Sequence, residues 1–165
     1  MKTFTRNRKG VSPVVGVMLM LIITVILAAA VNAYTSSVAP KAATAVAQFD
    51  AKAHLNTSNI TMDMLSGDTI YKDRIKVRIS TDNPPQSGYI NIANVTFIQD
   101  NTTNDYLAPG GIMLISFTKD TTNYTAIFTG KYINLKVHVG QPFTVTIIDK
   151  DTGNPIWTGR VVMNP

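Results

Sequence analysis

Between Lys9 and Lys41 the chain carries no charged side chain, and nothing else in its 165 residues limits the fold as strongly. The stretch from Val11 to Val31 is built mostly of Val, Leu, Ile, Met and Ala. A helix rises about 1.5 Å per residue, so this stretch spans roughly the 30 Å hydrocarbon thickness of a bilayer. Four cations, Lys2, Arg6, Arg8 and Lys9, precede it. Such a basic flank holds an N-terminus on the cytoplasmic side. Whatever follows is therefore tethered to a membrane or carried across one.

Setting that flank apart changes the meaning of the composition. The full chain has 15 Lys and Arg against 10 acidic residues, and four of those cations lie in residues 1–10, leaving eleven against ten. A nearly neutral remainder, with no basic stripe interleaved with aromatics, gives no footprint for nucleic acid. Cysteine is absent, which rules out disulfides and thiolate metal ligands. Glu is absent too. About 115 residues follow Asp50, room for one domain held by a single core.

Three kinds of segment share an apolar run of this length. A cleaved secretory signal has roughly 7–15 apolar residues before small residues at the cut. Here the run is longer, and Ala28-Ala29-Ala30 lies inside the helical pattern. A permanent single-pass anchor fits both length and charge. The third kind loses a basic leader on the cytoplasmic side and keeps its apolar helix. At the junction, Lys9-Gly10 runs into Val11-Ser12-Pro13-Val14-Val15-Gly16, a basic residue, a small one and then the apolar helix. This order resembles the N-terminal region of archaeal type IV pilins. Gly10 has no side chain to obstruct a peptidase, Ser12 can cap the new helix, and Pro13 is tolerated in a first turn.

The resemblance implies a leader, residues 1–10, cut by a prepilin peptidase between Gly10 and Val11, with Lys9, Gly10 and Val11 forming the junction. It implies an assembly helix in which Val14, Val15, Gly16, Val17, Leu19, Leu21, Ile22, Ile26 and Leu27 lie first in the membrane and then in a filament core. Small residues, Gly16 and Ala28 to Ala30, suit close helix approach. The implied partners are identical or related pilins in a helical filament, and a membrane assembly platform with its ATPase. Many such pilins carry Glu at the fifth mature position, where this chain has Val15. The pairing of that carboxylate with a neighbour's new terminal amine cannot be carried over.

Beyond the apolar run, the pattern reads as a helix continuing to about residue 55, interrupted near Pro40. In its second half Ala42, Ala45, Val46, Phe49, Ala53 and Leu55 are placed inward, and Lys41, Gln48 and Lys52 reach water. Further on, β-branched and aromatic residues alternate with polar ones, as in Ile75, Val77 and Ile79 against Lys76, Arg78 and Ser80. Further strands are expected at about 89–98, 111–117, 123–128, 132–139, 142–149 and 155–163, separated by Pro and Gly turns. The expected class is α+β: a long N-terminal hydrophobic α-helix over 11–55, then an antiparallel β-sandwich or barrel of about seven strands over 56–165. Leu65-Ser66-Gly67-Asp68, Ala108-Pro109-Gly110 and the run from Thr146 to Gly159 also resemble archaeal pilin-like head domains.

No enzyme, cofactor or metal site is expected. Asp149, Asp151 and Asn154 space like the start of a calcium loop, but Asn154 stands where such a loop needs Gly and Arg160 where it needs Glu, so a hairpin turn is expected. His54 and His138 have no Cys or Glu to complete a familiar site. Trp157 reads as core bulk. Five Asn-x-Ser/Thr sequons, at Asn56, Asn59, Asn94, Asn101 and Asn123, are candidates for N-glycosylation, those at Asn101 and Asn123 favoured by nearby loops and Asn94 disfavoured by a strand. The function expected is a structural pilin subunit, anchored in the cell membrane as a precursor and then polymerised into an extracellular pilus for attachment. Its competitors are a membrane-anchored extracellular binding domain and a minor pilin-like protein outside the main fibre.

Overall fold

The structure, a computed structural model, describes residues 13–37, 43–130 and 134–165. The chain divides into two compact units, Met1–Lys41 and Ala42–Pro165. The first contains a single described helix, α1 (Pro13–Ser37), of 25 residues. Proline opens it, where a missing N–H costs nothing. Pro40 lies three residues past its end, and the position before a proline is disfavoured in helices.

The second unit is built of strands: β1 (Ala47–His54), β2 (Asn59–Gly67), β3 (Ile70–Tyr71), β4 (Ile75–Asp82), β5 (Pro85–Tyr89), β6 (Val95–Gln99) and β7 (Thr102–Asn104), then β8 (Tyr106–Leu107), β9 (Ile112–Ser116), β10 (Thr118–Asp120), β11 (Thr125–Thr129), β12 (Asn134–His138), β13 (Pro142–Asp149) and β14 (Pro155–Asn164). Nine form one curled sheet in the order β5-β4-β13-β14-β1-β2-β9-β6-β7; β10-β11-β12 and β3-β8 form two smaller ones. Pairing is antiparallel except where β1 lies parallel to β14. The expected class, an apolar helix followed by a strand-built head, is what the chain adopts.

The expected helix over 41–55 is not. The helix stops at Ser37, and Ala47–His54 is the central strand of the large sheet, so the strand unit begins well before residue 56. Ala47, Phe49, Ala53 and Leu55 are buried while Gln48, Asp50, Lys52 and His54 are exposed. That period of two outweighs the alanine content that suggested a helix. Val46, placed inward on the helical reading, is exposed. The strand count also differs. β2 was not anticipated, five strands of two to five residues lack a sequence signature, and the run at 89–98 is divided by a 3-10 turn, Ile92–Asn94.

One core lies under the sheet. Alternate residues of its strands fill it: Ile60, Met62 and Met64 from β2, Ile75, Val77 and Ile79 from β4, Phe143, Val145 and Ile147 from β13. Phe128 on β11 stacks obliquely between Phe117 and Phe143, with centroids 4.9 and 5.8 Å away, and so joins the three-stranded sheet to the large one. No buried side-chain polar atom among the described residues lacks a hydrogen bond.

The chain enters this unit through a polar latch. Thr44 Oγ1 accepts from Asn154 Nδ2 at 2.9 Å and hydrogen-bonds Thr152 Oγ1 at 3.0 Å, which ties the first residues of the head to the β13–β14 turn.

Trp157, the single tryptophan, is half-buried and meets Phe49 edge-on at 5.7 Å. Its indole covers the bare backbone of Gly159, where a Cβ would overlap the ring. Gly159→Ala is therefore expected to displace the indole and cost about 1–3 kcal/mol, the usual penalty for overpacking. A red-shifted tryptophan emission, together with a lower denaturant midpoint, would register it.

Candidate assembly helix and head-domain sites

The apolar side chains of α1 from Val14 to Val31 are exposed by 48–72% of their surface, on every side of the helix. The helix holds no Asp, Glu, Lys or Arg, and its residues Pro13–Thr35 are long and apolar enough to cross a membrane. Soluble helices bury one stripe and wet the other; a helix apolar all round needs an apolar environment all round. Its threonines do not oppose this. Thr24 Oγ1 donates to the Leu21 carbonyl at 2.9 Å, and Thr35 Oγ1 donates to the Val31 carbonyl at 3.0 Å, so both hydroxyls are satisfied within the helix.

The nine residues assigned to assembly, Val14, Val15, Gly16, Val17, Leu19, Leu21, Ile22, Ile26 and Leu27, all lie on this exposed surface. A Cβ added at Gly16 would meet nothing within 4 Å. Lys9, Gly10 and Val11 lie outside the described residues.

The five sequons are dispersed over the head. Asn56 is exposed in the turn between β1 and β2, and Asn59 is half-buried at the start of β2, opposite His54 and Ser116. Asn94 is half-buried at the end of the 3-10 turn before β6, where a strand was expected. Asn101 is exposed at φ +59 beside Asp100 at φ +52 in the two-residue β6–β7 turn. Two successive left-handed residues are what a tight hairpin of matching twist requires. Asn123 is exposed in the β10–β11 turn, and its Nδ2 donates to Asp120 Oδ2 at 2.8 Å.

Asp120 organises that turn, accepting also from the backbone N–H of Thr122 at 2.9 Å. The hydrogen bonds from Asn123 and Thr122 favour the charged carboxylate and hold its pKa below the ordinary value. A depressed carboxyl pKa adds stability that is present above the unfolded-state pKa and lost as pH falls through the folded one. Carboxyl-carbon NMR is thus expected to show Asp120 titrating below an unstructured Asp, and Asn123→Ala to move it back up.

The remaining polar motifs are structural. Asp149 Oδ1 accepts from the backbone N–H of Asp151 at 2.8 Å and of Thr152 at 3.3 Å, which closes the β13–β14 hairpin turn. Asn154 is spent on the Thr44 latch, a contact between residues 110 apart that no local spacing reveals. No group of three His or Asp side chains placed to hold a metal ion occurs among the described residues. His138 Nδ1 shares a hydrogen bond of 3.1 Å with Thr125 Oγ1 across β12 and β11, and His54 closes β1.

A uniformly apolar, uncharged N-terminal helix is followed by a strand-built head, an α+β arrangement consistent with a type IV pilin-like fold. Residues 9–49 match the family described as archaeal type IV pilin, N-terminal, and over that segment the chain is similar to that family. The match takes in the Lys9-Gly10-Val11 junction, the whole of α1 and the start of β1. An uncharacterised protein of Archaeoglobus fulgidus is 40% identical over 77 residues, 45% of this chain. The aligned part spans about half, 54%, of that relative's length.

Proposed function

We propose that this chain is a pilin subunit: a prepilin whose leader is removed between Gly10 and Val11, and whose α1 then leaves the membrane to pack against sister helices in a surface filament. The observation that carries the reading is the exposure of every face of an uncharged 25-residue helix within the family-matched segment. Lipid tails and neighbouring helices are both apolar, so transfer from one to the other costs little. Close packing and small residues then favour the helix bundle. Gly16 supports this. No neighbour among the described residues demands a glycine there, whereas a closely approaching second helix would.

The strand-built head faces outward in such a fibre and serves attachment to surfaces or other cells. A prepilin peptidase, an assembly platform and its ATPase are the partners this route requires. Val15 stands where many pilins carry a register-setting Glu, so that charge pair does not set register here. Glycans are placed on the exposed turn sequons, Asn56, Asn101 and Asn123, ahead of the half-buried Asn59 and Asn94.

The deciding experiment is N-terminal sequencing of the protein recovered from the cell surface. Sheared filaments whose subunit begins at Val11 support the reading. A chain beginning at Met1 and confined to membranes would sink it in favour of a fixed anchor. A start near Tyr34 would identify an ordinary secretory signal.

A further inference from the structure

The large sheet turns one face to the core and the other to solvent. Across β5, β4, β13 and β14 the register aligns Tyr89, Arg78, Thr146 and Thr158 in one row of the outer face, in which Thr146 is itself buried. The next row is Ser87, Ser80, Thr144 and Arg160, and Lys76 stands beside Arg78 in the row on the other side. Cross-strand partners project to the same side, so cations and hydroxyls share one surface. That surface forms an open cleft of about 420 Å³.

Negative charge is scarce on it. Asp82 is paired with Arg160 at 3.2 Å, and the Asp149 carboxylate is occupied by its own turn. Lys76 and Arg78 have no carboxylate partner among the described residues. Eleven cations against ten acids follow the leader, so this positive face reflects segregation of charge on a neutral domain. Such a face raises the local concentration of anions. A guanidinium and an ammonium flanked by hydroxyls suit carboxylate or sulfate groups spaced among neutral hydroxyls. Duplex nucleic acid is a poorer fit, since its affinity comes from neutralising many phosphates and only three cations line this cleft, Lys76, Arg78 and Lys150, the last already donating to the Asp73 carbonyl at 2.6 Å.

We propose that the outer face of β4, β5, β13 and β14 binds an acidic polysaccharide, with Lys76 and Arg78 taking its anionic groups and the Ser, Thr and Tyr hydroxyls taking its hydroxyls. This deepens the attachment part of the proposed function by naming what the head holds, and the binding itself needs no filament.

The test uses the full chain in detergent micelles at low ionic strength, with fluorescent polygalacturonate and dextran sulfate as probes and neutral dextran and duplex DNA as references. At least one acidic polysaccharide is expected to bind, and neutral dextran is not. Lys76→Gln with Arg78→Gln should weaken that binding by about tenfold or more, the scale of losing one charge-assisted contact. Lys119→Gln with Lys136→Gln removes equal charge from exposed positions elsewhere and should leave affinity within about twofold. Circular dichroism confirms that both variants remain folded. Failure of both acidic probes to bind, equal losses in the two double variants, or tighter binding of duplex DNA would each overturn the proposal. Intact binding by a chain that never forms fibres would overturn the pilin reading alone.

Discussion

Gly67→Ala is expected to destabilise the head domain by more than about 3 kcal/mol, read as a large fall in its denaturant midpoint. Gly67 ends β2 at φ +120, a conformation that residues with a Cβ rarely adopt, opposite the first residue of β1. Held there, a non-glycine residue costs about 1–3 kcal/mol in backbone strain alone. The added methyl would also overlap the carbonyl oxygen of Val46 and lie 2.5 Å from the Cα of Ala47. Those are backbone atoms at the entry to the central strand and cannot swing away as side chains do. Val46 is held there by Asp68 twice, since Asp68 N–H donates to the Val46 carbonyl at 2.8 Å and Asp68 Oδ2 accepts from Val46 N–H at 3.1 Å. A total loss above about 3 kcal/mol is a large part of the roughly 5–15 kcal/mol that stabilises a domain. Gly153→Ala is the control: φ is +72 and the space around it is open, so only the strain, about 1–2 kcal/mol, should be lost. Equal denaturant midpoints for the two variants would show that the overlap with β1 is not what makes Gly67 necessary.

Gly10→Phe is expected to abolish surface filaments while leaving the folded head untouched. Residue 10 precedes the bond proposed for cleavage, and a phenyl ring there would obstruct the approach of the backbone to a peptidase. Uncut, the chain keeps Lys2, Arg6, Arg8 and Lys9 ahead of its apolar helix. Each such charge at the centre of a membrane or an apolar bundle costs about 2.5–3.5 kcal/mol on insertion scales, so the leader fixes the helix in the bilayer. Membrane fractions should hold a species about ten residues longer than the wild-type subunit, and sheared surface material should hold none. Gly10→Ala, with only a methyl added, should retain part of the processing. Wild-type filament yields from Gly10→Phe cells would place the cut elsewhere or remove it.

The two ends of the chain were unequally legible. The α1 region could be read directly because its signal is compositional: a bilayer or a bundle accepts any order of apolar residues, so length and the absence of charge suffice. The strand β4 was similarly plain, since Ile75, Val77 and Ile79 alternate with Lys76, Arg78 and Ser80, and β13 and β14 are long runs rich in β-branched residues bounded by turn residues. Strands such as β3, β7 and β8 contain only two or three residues. Too few side chains repeat there for any period to emerge.

Residues 41–55 show how two periods can coexist. Phe49, Ala53 and Ala45 lie four apart, as on a helix, while Ala47, Phe49, Ala51, Ala53 and Leu55 lie two apart, as on a strand. Alanine favours the helix, and the local sequence tips toward it. The choice falls to the strand because β2 and β14 flank β1 and supply its hydrogen bonds, and propensity differences of tenths of a kcal/mol do not compete with a central place in a sheet.

The candidate sites divide in the same way. The residues of the proposed assembly helix, the proposed cleavage junction and the sequons are contiguous patterns, and contiguous patterns are visible in a sequence. The Thr44–Asn154 latch and the rows that bring Lys76, Arg78 and Arg160 onto one face join residues tens of positions apart. Sequence by itself determined that this chain has an uncharged, membrane-length helix at its N-terminus and a strand-rich, nearly neutral remainder, because those properties are sums over neighbouring residues. Only the tertiary structure decided where the helix ends, which strand lies at the sheet's centre and which cations meet, because these depend on register between distant segments, and register is set by how the whole core packs.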